Sequence, residues 1–195
     1  MDISNNNKSI DNMKDRIKKV LSQRTKKTIV DDSFKPSGVL LPLFYKDDKY
    51  HILFTKRTED VEHHKGQISF PGGAYDEGDE TLMTTALRES YEEVGIKSED
   101  VEILGELDDI VTTTKFIISP FVGFIPYPYE FEVNTHETDE LIEVPIQALL
   151  DKKIYREELM IHEGETSPVY FYHYNSHVIW GATASILKQF LDLVF

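Results

Sequence analysis

Residues 66–96, GQISFPGGAYDEGDETLMTTALRESYEEVGI, constrain the fold more than any other stretch. Pro71 fixes one backbone angle, while Gly72 and Gly73 permit positive φ and the close approach of another group, so the chain turns here. A helix is expected to begin near Asp79 or Thr81, whose short side-chain oxygens can cap free N–H groups, and to stop at Gly95. At about 100° per residue, Met83, Leu87, Ser90 and Val94 form one face, the one expected to pack, while Glu89, Glu92 and Glu93 share an arc of about 100° on another. Three carboxylates at i, i+3 and i+4 repel one another and cost stability unless something offsets them. Either water solvates three surface glutamates or a divalent cation binds them. Hard cations prefer carboxylate oxygens, and a cation so held suits a phosphate-bearing substrate.

The flanking sequence reads as strands. GVLLPLFYK (38–46) and YHILFTKR (50–57) are rich in β-branched and aromatic residues and flank Asp47 and Asp48, a hairpin pattern. TEDVEHHK (58–65) is a polar loop leading into the turn. Beyond the helix, VEILGELDD (101–109), FIISPFVGFIP (116–126) and LIEV (141–144) read as strands, IQALLD as a short helix after Pro145, and PVYFYHY (168–174) as another strand. The chain closes with VIWGATASILKQFLDLVF, a strand turning into an amphipathic helix. Alternating Tyr170, Phe171, Tyr172 and Tyr174 fit cross-strand packing better than a base-stacking site, and Trp180 is read as packing.

Length and charge bound the partners. The 195 residues suffice for one domain with a substantial core, assigned to residues 31–195, preceded by a polar segment over 1–30. Residues 1–9 are Asn-rich and expected to lack regular structure; from Ile10, the spacing of Met13, Ile17, Val20 and Leu21 predicts an amphipathic helix with Lys14, Arg16, Lys18 and Lys19 opposite. That basic face fits an acidic partner or membrane surface less well than simple solvation of a helix packed on the domain. Residues 1–30 hold eight Lys or Arg against three acidic residues, so the remaining chain is more acidic than the net −14. General nucleic-acid binding, which needs cationic surface, is not expected. No apolar run approaches the roughly 18 residues of a membrane span, the N-terminus lacks the apolar core of a signal peptide, and cysteine is absent. A soluble protein in the reducing cytoplasm fits these features, without a thiolate metal site or nucleophile.

Gly73, Glu80, Arg88, Glu89, Glu92, Glu93, Gly95 and Ile96 resemble the Nudix box of the Nudix hydrolases, a glycine, five residues, a glutamate, seven residues and REUxEExGU, with U aliphatic. Ser90 stands at an aliphatic position, and Gly73 is one residue farther from Glu80 than the general pattern. Both departures resemble the coenzyme A pyrophosphatase branch. ILFTKRTEDVEHHKGQISFPGG likewise resembles that branch's signature, through Arg57, His64, Gly66, Gln67, Ser69, Phe70, Pro71, Gly72 and Gly73. LDDIVTTTKFIISPFVG, ETDELIEVPIQALLD and IWGATASIL extend the similarity over roughly residues 36–190, while Lys115 stands where relatives commonly have a small residue.

This resemblance implies the Nudix fold, an α/β/α sandwich around a mixed β-sheet. It also implies hydrolysis of CoA or acyl-CoA to 4′-phosphopantetheine, or its acyl form, and adenosine 3′,5′-bisphosphate. ADP-ribose, dinucleotides or other nucleoside diphosphate derivatives are the alternative substrates, and a non-catalytic nucleotide-binding protein would have lost the carboxylates retained here. By resemblance Glu89 and Glu93 are the principal Mg²⁺ or Mn²⁺ ligands, Glu92 acts directly or through water, and Arg88 orients Glu89. Glu89, Glu137 and Glu140 are the general-base candidates. Arg57, His64 and Lys65 are expected to meet substrate phosphates beside Gly66, Gln67, Ser69, Phe70, Gly72 and Gly73. His136, His162, His173 and His177 lack metal-like spacing. A homodimer is plausible by analogy with relatives.

Overall fold

The computed structural model describes residues 3–59, 65–162 and 164–195. Its centre is a hairpin, β1 (Lys35–Lys46) and β2 (Lys49–Arg57), whose register pairs Lys46 with Lys49. The two turn residues, Asp47 and Asp48, adopt φ of 50° and 59°. Both values are left-handed, as a two-residue turn matched to strand twist requires. The expected hairpin is present, and β1 also reaches back to Lys35.

Strand β1 pairs in parallel with β7 (Phe116–Phe124), which pairs antiparallel with β5 (Glu102–Glu106) and β6 (Ile110–Val111). Toward its end β2 pairs with β3 (Ile68–Ser69) on one side and β8 (Thr138–Pro145) on the other, while β4 (Gly72–Ala74) returns to β1. The mixed sheet is covered on both faces. Helix α2 (Leu82–Val94) packs over Leu40, Phe44, Leu53 and Phe121. The opposite face carries Leu41, Leu43, Ile52 and Phe54, covered by α1 (Ile3–Ser22) and α4 (Gly181–Val194).

Short helix α3 (Ile146–Leu149) follows Pro145, and a second sheet orders β9 (Tyr155–His162), β10 (Glu165–Tyr174) and β11 (His177–Trp180) as β11-β10-β9. The aromatic alternation of β10 does pack: Tyr172 is buried, and Tyr155 stacks on Tyr170 and tilts against Tyr172.

Helix α1 begins at Ile3, seven residues before the expected start at Ile10, since each residue added to an existing turn gains a backbone hydrogen bond. Ile17 and Leu21 enter the core, and Lys14 and Lys18 both pair with Glu102 on β5. The basic face is thus partly neutralised by the domain itself. No helix among the described residues is long and apolar enough to cross a membrane.

Candidate active site

The site begins with how α2 is seated. Thr81 caps its N-terminus by accepting from the Thr84 N–H, and Gly95 (φ 73°) ends it, as the sequence led one to expect. Gly38 of β1 lies so close that an added Cβ would come within 2.1 Å of the Leu82 carbonyl oxygen. This close approach selects Ala86, Ser90 and Val94 as the buried stripe. Met83, assigned above to the packing face, is exposed instead. Ser90, at the position of the expected aliphatic residue, donates to the Ala86 carbonyl at 2.6 Å, a self-satisfied small group under the sheet.

The same rotation turns Glu93 inward. It is only 3% exposed, and burial pushes its carboxyl up to about 8, although Arg57 lies across from it. Arg57 Nη1 stands 3.6 Å from Glu93 Oε1. Arg57 Nε and Glu93 Oε2 are buried without a hydrogen-bond partner. Buried polar atoms are overwhelmingly satisfied, so two orphans on one contacting pair mark the Arg57–Glu93 contact as a place where further groups are wanted.

Glu89 lies beside this contact. An added Cβ on Gly73 would fall 2.3–2.5 Å from its carboxyl group, so the glycine leaves the volume the carboxylate fills. Burial raises the pKa of Glu89, Arg88 opposes the rise, and Glu92 and Glu137 add to it. Glu137 raises Glu93 as well, so it shares the field of both carboxylates. It is carried by a loop tied to α2, in which Asn134 N–H donates to the Glu93 carbonyl and Glu137 N–H to Asn134. Gly73→Ala is expected to displace Glu89, a flexible group, and so to lower kcat by about tenfold or more while shifting stability by under about 1 kcal/mol. Parallel turnover and thermal melts check this.

Sequence reading missed Asp79. Arg88 Nε and Nη2 donate to its two carboxylate oxygens, both at 2.9 Å, and Thr85 Oγ1 donates at 2.8 Å. Asp79 is buried and the neighbouring Glu80, the box glutamate by spacing, is exposed. The longer loop after Gly73 shifts the buried acid back by one residue. Arg88 also bonds Glu89 Oε1 (2.8 Å) and Glu92 Oε2 (3.3 Å), orienting the first.

The other candidates divide. Glu92 does not join Glu89 and Glu93; its side chain is 53% exposed and drawn to Arg88 one turn earlier. Among the described residues no three acidic or histidine side chains converge in a cation-holding group. Glu140 faces Lys56 in the β2–β8 register and pairs with His177 at 3.4 Å, on the sheet face turned away from α2. Phe70 is core, stacked on Phe54 at 4.8 Å, and Ser69 Oγ bonds Thr55 Oγ1 at 3.1 Å. Gly72, with φ 153°, passes so close to Gly38 and Val39 that a side chain would strike backbone. Lys65, Gly66 and Gln67 line a cleft with Lys56, His177 and Trp180. His64 lies outside the described residues.

A mixed sheet lies between helical layers, and a glycine turn feeds an acidic helix on one of its faces. The chain belongs to the Nudix family: the NUDIX domain profile matches residues 35–174. It is 35% identical over 165 residues to an uncharacterized Nudix hydrolase, NudL, of Photorhabdus laumondii, covering 85% of this chain and 88% of that one. It is 34% identical over 158 residues to NudL of Yersinia pestis (strain Pestoides F), covering 81% and 79%. The NUDIX hydrolase of Alicyclobacillus acidocaldarius shares the fold, with a TM-score of 0.52 at 16% identity over 82% of this chain and 91% of that chain. The protein is a Nudix hydrolase with the Nudix fold.

Proposed function

We propose that this Nudix hydrolase cleaves the pyrophosphate of coenzyme A or an acyl-CoA, releasing 4′-phosphopantetheine, or its acyl form, and adenosine 3′,5′-bisphosphate, with Mg²⁺ or Mn²⁺ as cofactor. One observation carries the reading. Arg57, from the CoA-type signature, and Glu93, from the Nudix box, meet at 3.6 Å and leave Nε and Oε2 buried and unsatisfied. The two motifs thus meet at one buried polar contact, a carboxylate against a guanidinium.

The donor set fits a hard divalent cation, because an unpaired buried carboxylate oxygen beside a second half-buried carboxylate is costly without one. Glu93 and Glu89 would hold it, with Glu92 and Glu137 within reach through water. When bound, such a cation offsets the charge of the pyrophosphate and polarises its phosphoryl oxygens. Arg57 binds a phosphate oxygen in its guanidinium fork and holds the phosphorus in line with the attacking water. Glu137, which Arg88 does not engage, accepts the proton of that water as oxygen bonds to phosphorus and the bridging P–O bond breaks. Arg88, clamped by Asp79, keeps Glu89 beside that contact. Glu140, paired with His177, is left out of this role.

Product identification on CoA, acyl-CoAs, ADP-ribose, NADH and dinucleoside polyphosphates, each with Mg²⁺ or Mn²⁺, tests the reading. CoA or an acyl-CoA is expected to have the highest kcat/KM. Preferential cleavage of ADP-ribose or NADH would overturn the substrate assignment.

A further inference from the structure

The cleft on the α4 side of the sheet is not part of the carboxylate site, and its chemistry is specific. Thr183 Oγ1, at the start of α4, donates to the Ile68 carbonyl at 3.1 Å. That bond ties α4 to β3, and a space of about 390 Å³ lies beside it, lined by residues of β3 and β11. Lys56, Lys65, His177 and Trp180 line it. Trp180 is 43% exposed, and Phe171 backs its indole with ring planes 9° apart. Asp139 holds Lys56 at 2.8 Å and Glu140 holds His177 at 3.4 Å, whereas Lys65 makes no ion pair among the described residues. In a chain of net charge −14, two lysines beside an open aromatic plate, one of them without an ion pair among the described residues, form a local exception.

The combination suits a phosphorylated nucleoside, with the base on the indole and a phosphate monoester on the ammonium groups. A neutral pantetheine arm would use neither lysine. The volume is within the range of small-ligand sites. Position supports the match. Lys56 and Arg57 are consecutive at the end of β2, where a register shift occurs, and they serve opposite faces: Lys56 lines the cleft and Arg57 meets Glu93. Ile68 at the cleft and Gly72 beside the carboxylates are four residues apart, so at most about 14 Å separates them.

We infer that this cleft binds the nucleotide half of the substrate, seating the adenine on Trp180 and the 3′-phosphate on Lys56 and Lys65, while the pyrophosphate crosses the end of β2 to Arg57. The inference rests on the CoA reading above. It makes the cleft the element that distinguishes CoA from its 3′-dephospho form.

Trp180 is the single tryptophan of the chain, so its emission reports on this cleft alone. Adenosine 3′,5′-bisphosphate and adenosine 5′-monophosphate are titrated into the metal-free protein while emission is followed. The bisphosphate is expected to change the emission and to bind about tenfold or more tightly than the monophosphate, one charge-assisted phosphate contact being worth about that ratio. The double substitution Lys56→Ala/Lys65→Ala is expected to remove the difference, and Lys65→Gln alone, at an exposed position, to reduce it. Unchanged emission with either nucleotide, or an undiminished preference in the double variant, would overturn the inference. Its failure is separable from failure of the CoA reading. Were CoA and 3′-dephospho-CoA cleaved with equal kcat/KM and Trp180 silent, the cleft assignment would fall and the CoA reading would stand; were ADP-ribose the preferred substrate, the CoA reading would fall.

Discussion

Glu93→Gln is expected to lower kcat/KM by about three orders of magnitude, while the metal-free variant melts at or above the wild-type temperature. Glu93 is the innermost carboxylate of α2, with one oxygen facing Arg57 and the other buried without a hydrogen-bond partner among the described residues. Gln keeps the shape and one carbonyl oxygen but removes the charge that a cation and the water it orders would use. Burial already disfavours that charge, so its loss relieves the folded protein when no cation is present. Glu92→Gln, at an exposed position paired with Arg88, is expected to cost about tenfold or less. Steady-state kinetics with Mg²⁺, paired with thermal melts in chelator, read both quantities. Wild-type turnover in Glu93→Gln would remove Glu93 from the reaction.

Asp79→Ala should destabilise by about 2–3 kcal/mol, because it deletes a bidentate charge-assisted pair with Arg88 and the hydrogen bond from buried Thr85. For a chain of this size that is a fall of about 5–10 °C in Tm. The effect depends on pH in a defined direction. Arg88 holds the Asp79 carboxyl well below its ordinary 3.8, so the folded state favours the charged form. The stabilisation is complete above the unfolded value and is lost as pH falls through the lower folded one. Wild type and variant should therefore differ fully at pH 6–8, with the difference beginning to shrink below about pH 4 and closing only in stronger acid, as Asp79 takes up its proton in the folded state. Melts across that range check the sign. Turnover should fall too, since an unclamped Arg88 no longer fixes Glu89.

Local chemistry made much of this legible in advance. Asp47 and Asp48 announced the hairpin, and Thr81 and Gly95 bounded α2, because turn and cap preferences depend on neighbours within a few residues. What depends on distant contacts was not legible. The inward face of α2 was set by Gly38 on β1, which rotated Met83 out and Glu93 in. Periodicity could group the three glutamates but could not say which would be buried. Asp79 was hidden by Glu80 beside it; the extra loop residue after Gly73 was the available signal. Strand β9 left no trace, since YREELMIH mixes adjacent charges with apolar residues, and Leu159 and Ile161 stay exposed on its outer side. The open indole of Trp180 emerged only when β11 was set against β3, where a strand aromatic otherwise reads as core.

Direct Mn²⁺ titration, followed by loss of the free-ion paramagnetic resonance signal, isolates the cation site from catalysis. Wild type is expected to bind Mn²⁺ in the absence of substrate, Glu93→Gln to bind it at least about tenfold more weakly, and Glu92→Gln to fall between them. Equal Mn²⁺ affinity in wild type and Glu93→Gln would contradict the assignment of the buried carboxylate facing Arg57 as the centre of the site.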